Sequence, residues 1–410
     1  MAEMFRSMPS TRRTLLRSVG ATGASVALAG CSLLSRVRGP DDPPPSGVDD
    51  MPDPGNSARG ATGEWSTFGC NAANTREVGD GEAPVDGVSE RWRVEVPQLT
   101  YQAPVVAGGR VYQPDEDTLR VLDAAEGTEL WTVEGVGTVP LIWNDVAYVS
   151  TGSAIRALET DTGERLWERE LETPGRVTVP ATRAGEQLVC GAGERVVALD
   201  LDDGTVQWDR EVFGQVQDHP AVFRAHWFVI TTRAGMVYLL DRDGMGGRRW
   251  QLPAEPAAPP SADTDSVYVN CRDGTTYALM DEGVSDPARN WTADSGWADR
   301  GIAVADGLVL VANGQELHAV DTESGDRHWK HDIGDWRHTA PAYGRDTVFV
   351  GGDRLHALDP TPDDSPGWGP AVRFEREFAG RVGPGPVLDD GTIYVVAQVA
   401  DETYALLALD

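Results

Sequence analysis

The chain has 410 residues, 40% of them hydrophobic, and a formal net charge of −30 at pH 7. That length and apolar content allow a large core, while so negative a charge argues against nucleic-acid phosphates as partners. The acids run along the whole chain and Lys330 is its single lysine. Such a composition suits a surface in molar salt, where the Debye length is about 3 Å and self-repulsion is screened.

In chain order, residues 1–30 read as an export signal. Arg12 and Arg13 form a twin-arginine pattern, and the apolar run after them, from Val19 to Gly30, is shorter than the ~20 residues that span a bilayer. It ends in Leu28-Ala29-Gly30-Cys31, which resembles a lipobox, whose cysteine becomes the lipidated first residue of the mature protein. The expected location is therefore the outer face of the cytoplasmic membrane, reached by the twin-arginine route and held by lipid on Cys31. The signal carries four arginines against one glutamate, so residues 31–410 stand at −33. Residues 31–63 are rich in Pro, Asp, Gly and Ser and lack the apolar residues of a core; they are read as a disordered tether. Residues 64–410 form one domain, opened by Trp65-Ser66-Thr67-Phe68-Gly69, a lead-in expected to pack against the rest of that domain.

From there the chain repeats. Residues 157–167 read Ala-x-acid-x-x-x-Gly-x-x-x-Trp, and words of the same length recur at 121–131, 198–208 and 319–329, with a stretched copy at 239–250 and a longer one ending at Trp291. A period of about 40 residues signals a solenoid or propeller. Each period holds four short runs rich in β-branched and aromatic residues, bounded by turn residues, and no run keeps a 3.6-residue apolar period. That is a four-stranded antiparallel meander, one propeller blade. The glycine supplies the positive φ of a tight turn, and the aromatic of the outer strand covers the gap to the next blade. The docking aromatics are Trp92, Trp131, Trp167, Trp208, Trp250, Trp291, Trp329 and Phe374; Phe374 is preferred to Trp368 because it lies 12 residues before Pro386, the usual spacing, which makes residues 360–370 an insertion. Inner strands open near Pro104, Pro140, Pro180, Pro220, Pro259, Ile302, Pro341 and Pro386. The chain ends on a third strand and begins its repeats, at Trp92, on a fourth. The fold expected is all-β: an eight-bladed β-propeller of four-stranded antiparallel blades, closed by a blade shared between N- and C-terminal strands, with no free sheet edge and read as a monomer. Cys70, Cys190 and Cys271 give no disulfide framework and read as buried small hydrophobes.

The repeat word resembles that of the pyrroloquinoline-quinone (PQQ) dehydrogenase-like propellers, where it is called the tryptophan-docking motif. That superfamily also contains non-catalytic members, among them the lipid-anchored outer-membrane assembly lipoprotein of Gram-negative bacteria. For quinone-dependent alcohol dehydrogenases the resemblance implies adjacent cysteines, a calcium held by Glu and Asn, and an Asp base. This sequence has no Cys-Cys pair, and no calcium ligand can be placed on it. Protease, hydrolase, redox and phosphate-loop motifs are also missing. The pair Asp218-His219 reads as a surface pair.

Propeller ligands bind near the axis, where each outer strand crosses to the next inner strand. The crossings hold Tyr101, Arg176, His219, Trp297, Arg300, Trp336, Arg337, His338 and Arg381. Trp297 and Trp336, equivalent in neighbouring blades, would form an aromatic wall and the arginines would hold carboxylates. The function expected is a cell-surface, non-catalytic binding or scaffold propeller with a protein or small-ligand partner, no cofactor and no metal. The alternative is a PQQ-dependent oxidoreductase using PQQ with calcium at the axis.

Overall fold

The computed structural model describes residues 64–78, 82–182, 185–280, 289–360 and 369–410. Arg12, Arg13, Cys31, the tether and most of the insertion before Phe374 lie outside them. The described residues form eight four-stranded antiparallel sheets arranged as the blades of a propeller. Among them no helix is long and apolar enough to cross a membrane.

The first blade is Val105–Ala107, Arg110–Asp115, Thr118–Asp123 and Glu129–Glu134, from the axis outward. The next six keep the same order, each inner strand beginning one or two residues after the expected opening. The eighth takes Val387–Asp389, Thr392–Ala400 and Thr403–Leu409 from the C-terminus and Glu90–Val96 from the start of the ring. Trp92 lies opposite Ala408 and Arg93 opposite Leu407. Arg91 pairs with Asp410 across this seam.

Strand alternation explains the core. In the second blade Ile142, Ala147 and Val149 face the first blade, while Leu141, Tyr148 and Ile155 face the third. Successive side chains point to opposite sheet faces, so each blade with two apolar faces is buried only by having a neighbour on both sides. Closure of the ring is therefore a condition of solubility. Cys190 and Cys271 are part of these layers, and Cys70 is buried as well.

The docking aromatics tie blade to blade. The Trp167 ring packs under Gly204 of the next blade, where an added Cβ would come within 2.7 Å of it and φ is +68°, and its indole N–H donates to the Leu201 carbonyl at 2.9 Å. Trp92, Trp131, Trp208, Trp291 and Trp329 make the same bond to Ala124, Thr160, Arg242, Thr322 and Pro360. Phe374 lies opposite Ala357 beside a bulge, the register that Trp167 holds opposite Ala157. Phe374 has no side-chain N–H to donate, and the blade after it has no turn between third and fourth strands, which come from opposite ends of the domain.

Trp250 differs from the expectation. In the fourth blade the bulge register falls on Leu239 and Arg248, and Trp250 lies two residues further on, opposite Val237. A shorter turn gives one of those two positions, since Gly244 N–H bonds to Asp241, three residues back, where Gly163 bonds to Glu159, four back; the extra residue between Leu239 and Trp250 gives the other. Trp250 is buried between the fourth and fifth blades, and its indole N–H has no partner there.

The lead-in does more than pack against the ring. It winds around the axis inside the inner strands. The carbonyls of Trp65, Ser66, Ala72, Ala73, Thr75 and Arg76 accept from Val106, Ile142, Val222, Ala262, Val304 and Tyr343, at 2.7–3.0 Å, in six different blades. Inner-strand edges would otherwise present unpaired amides to the axis. Arg76 is fully buried and spends its guanidinium on the carbonyls of Pro341, Phe68 and Pro386, beneath the Trp65 and Phe68 rings. Burial pushes its pKa down to about 10.

Candidate functional site

Two kinds of loop meet on one face of the ring. The crossings between blades arrive there, and so do the turns between second and third strands, since each strand reverses the chain. Together they line a cavity of about 480 Å³.

Its floor is built by the lead-in. Phe68 stacks on His219 with ring centroids 4.2 Å apart and planes 10° from parallel. Asn74 fixes the His219 carbonyl from below, and Gln102 reaches its Nε2 at 3.4 Å. His219 is therefore not a surface residue; it is 5% exposed, and burial lowers its pKa to about 4. At neutral pH it is an uncharged ring beneath the cavity.

The walls carry paired charges. Arg176 faces Asp218 at 3.4 Å, Arg272 faces Glu255 at 3.4 Å, and Arg300 faces Asp299 at 3.3 Å. His338 Nδ1 lies 2.6 Å from the same Asp299 oxygen. With Arg233 the lining holds four arginines against three acids, a net positive mouth in a chain of −30. Arg300 is largely buried, which lowers its pKa, and Tyr101, 73% exposed, covers its guanidinium. A buried oxygen on each of Asp218 and Asp299 has no hydrogen-bond partner.

Of the sequence-predicted residues, Tyr101, Arg176, His219 and Arg300 line the cavity. His338 stands behind Asp299. Trp297, Trp336, Arg337 and Arg381 extend the face outside the cavity as cation–aromatic pairs: Arg337 over Trp297 at 4.8 Å and Arg381 over Trp336 at 4.5 Å. The two tryptophans thus do not form a common wall; each ring is taken by its own arginine, and Arg272 also approaches Trp297. Arg233, Arg272 and Phe68 lie outside the crossings, whereas Gln215 and Gln217 share the crossing of His219. Arg233 and Arg272 lie on second-to-third-strand turns, and the up-and-down order of a meander was the signal that puts those turns on the same face.

The donor set does not suit a calcium-bound quinone. Each carboxylate of the cavity faces an arginine, no asparagine lines it, and the described cysteines stand singly.

Comparison with known proteins agrees with the architecture. A family profile described as outer membrane protein assembly factor BamB matches residues 85–285 and 284–395. The protein of that name from Escherichia coli (strain K12) is 23% identical over 163 residues, 39% of this chain and 41% of its own length. That from Yersinia pestis is 26% identical over 232 residues, 50% of this chain and 58% of its own. The chain thus spans between two fifths and three fifths of these curated relatives. A serine/threonine-protein kinase, AfsK of Streptomyces coelicolor, is 33% identical over 111 residues, 25% of this chain and 14% of its own. Among solved structures, BamB from Moraxella catarrhalis superposes with a TM-score of 0.58 at 14% identity, covering 78% of this chain and 97% of that one. Quinohemoprotein alcohol dehydrogenase from Comamonas testosteroni gives 0.66 at 14% identity, covering 87% and 81%. Both resemblances concern the fold.

Proposed function

This chain belongs to the outer membrane protein assembly factor BamB family, and on that premise we propose that it is a non-catalytic binding ring, tethered at the cell surface, that holds a segment of a partner protein in its axial mouth. The observation that carries this is the state of the mouth's polar groups. Its acids and most of its arginines are engaged with each other, and its buried histidine is neutral and stacked. Among the lining residues no nucleophile stands beside a base, as group transfer would need. What the mouth offers is an exposed tyrosine and a positive excess, a set suited to a segment that presents carboxylate groups.

The anchor belongs to the same proposal. Cys31 carries the lipid, export takes the twin-arginine route through Arg12 and Arg13, and residues 31–63 span the distance from membrane to ring. Cys31→Ser should then leave the protein uncleaved or released, which fractionation and mass spectrometry read directly.

The test is cross-linking and capture from cells carrying the lipidated protein, beside Tyr101→Ala and Arg233→Gln variants, both at exposed positions of the mouth. Partners held by wild type and lost by both variants, with melting unchanged, are expected. Capture indifferent to both substitutions would sink the mouth as the binding site. Addition of PQQ and calcium should give no bound-quinone absorbance and no dehydrogenase activity; their appearance would install the enzymatic alternative instead.

A further inference from the structure

Away from the axial cavity, three ligand-type side chains converge at the joint between the sixth and seventh blades. His331 comes from the outer strand of the sixth blade, Arg327–Asp332. His356 belongs to the third strand of the seventh, Leu355–Asp359, and Glu375 lies opposite it on the outer strand, Ala371–Arg376. His331 Nε2 is 3.4 Å from His356 Nδ1, and Glu375 Oε1 is 3.1 Å from the same Nδ1. All three ligand atoms lie within 4.8 Å of one another. The two imidazole rings are nearly perpendicular, at 80°.

We propose that His331 Nε2, His356 Nδ1 and Glu375 Oε1 form a binding site for a first-row divalent metal ion of the zinc type, which clamps the sixth blade to the seventh. Tetrahedral zinc with nitrogen ligands at about 2.0–2.1 Å places those nitrogens about 3.4 Å apart, the separation found here. The outer partners have the form that metal-bound histidine takes. His356 Nε2 is 3.2 Å from Asp353 Oδ1, and a carboxylate on the far nitrogen fixes the tautomer and turns Nδ1 toward the ion. Arg354 bonds both Asp353 and the second oxygen of Glu375, which leaves Oε1 directed inward.

Proton accounting points the same way. With the Nε2 proton of neutral His356 given to Asp353, Nδ1 presents a lone pair. Glu375 Oε1 is an acceptor as well, and His331 Nε2 supplies one proton at most. A single cation satisfies all three atoms at once. Two imidazoles with one carboxylate select zinc-type ions over calcium or magnesium, which prefer oxygen. Glu375 stands at the exposed rim, so the fourth position opens to solvent.

The Asp353 amide bonds to the Ile333 carbonyl at 3.0 Å, directly before the crossing that carries Trp336, Arg337 and His338. An ion here therefore ties that crossing to the seventh blade, independently of what the mouth binds.

The experiment uses the full chain, stripped with chelator and held in excess Mg2+ so that surface carboxylates are occupied. Co2+ should bind at a single saturable site with the visible absorption of a tetrahedral ion, Zn2+ should displace it, and Zn2+ should raise the melting temperature. His331→Gln and Glu375→Gln, both at partly exposed positions, should melt like wild type without metal, lose the Co2+ spectrum and weaken binding at least tenfold. Asp353→Asn should weaken it by roughly 10–100-fold. Absence of saturable Co2+ binding, or binding that survives His331→Gln and Glu375→Gln with its spectrum intact, would overturn the proposal.

Discussion

The joint between the second and third blades and that between the fourth and fifth are written in similar words but built differently. At the first, Trp167 sits under Gly204 and its N–H reaches the Leu201 carbonyl. At the second, Trp250 is more deeply buried yet leaves its N–H unbonded. One residue fewer in the turn after Leu240 puts Arg248 in the docking register, and with one residue more between Leu239 and the tryptophan, Trp250 falls two positions further along the strand. Trp227 compensates, lying against Gly247 where any larger residue would collide with its ring. The pair separates two contributions that the motif combines. One is the apolar area an aromatic buries between blades, and the other is the directional bond that fixes one blade's outer strand to the next blade's turn.

The seam tests the first contribution at its largest. Deleting residues 403–410 removes a strand paired on both sides and should abolish the cooperative unfolding transition in calorimetry; a truncated chain that melts like the intact one would show that the ring does not need closure. Trp92→Ala, at a docked joint on that seam, should cost roughly 3–5 kcal/mol in urea titration. At the regular joint, Gly204→Val should cost roughly 3 kcal/mol, because overpacking against Trp167 adds to positive-φ strain. Gly152→Ala, where φ is +85° with open space around it, should cost only about 1 kcal/mol. Equal losses at the two glycines would mean that docking contact contributes nothing.

The crossing into the fourth blade adds a pH dependence. His219 titrates at about 4 in the folded chain against 6.5 when unfolded. Between those values the unfolded state binds the extra proton, so stability falls as pH drops through that window and levels off below it. Wild type should lose roughly 2 kcal/mol more than His219→Gln between pH 7 and pH 4.5; parallel losses would mean that another group controls acid unfolding. The smallest effect isolates the bond. Replacing the indole of Trp167 by an isosteric benzothiophene should cost about 1 kcal/mol, and the same replacement at Trp250 should cost nothing, since no hydrogen bond is lost there. A loss at Trp250 as large as at Trp167 would erase the distinction between the joints.

The ring itself was legible in the sequence because a blade is a local object. Its strands pair with neighbours a turn away, its glycines mark positive φ, and apolar residues on both faces require a blade on either side. Blade number, the seam at Trp92 and the docking register of Phe374 are all consequences of spacing. Tertiary structure decided what lies across the ring. The lead-in's carbonyls find amides in six blades, which no local period encodes. His219 became a buried, neutral floor because Phe68, far earlier in the chain, covers it. Arg337 and Arg381 each took a tryptophan that sequence alone had paired with the other. His331 meets the His356–Glu375 cross-strand pair only because neighbouring blades are wedged together by closure. Repeat periodicity fixes pairing within a sheet; contacts between blades and across the axis depend on the twist and radius of the closed ring, which belong to all eight sheets at once.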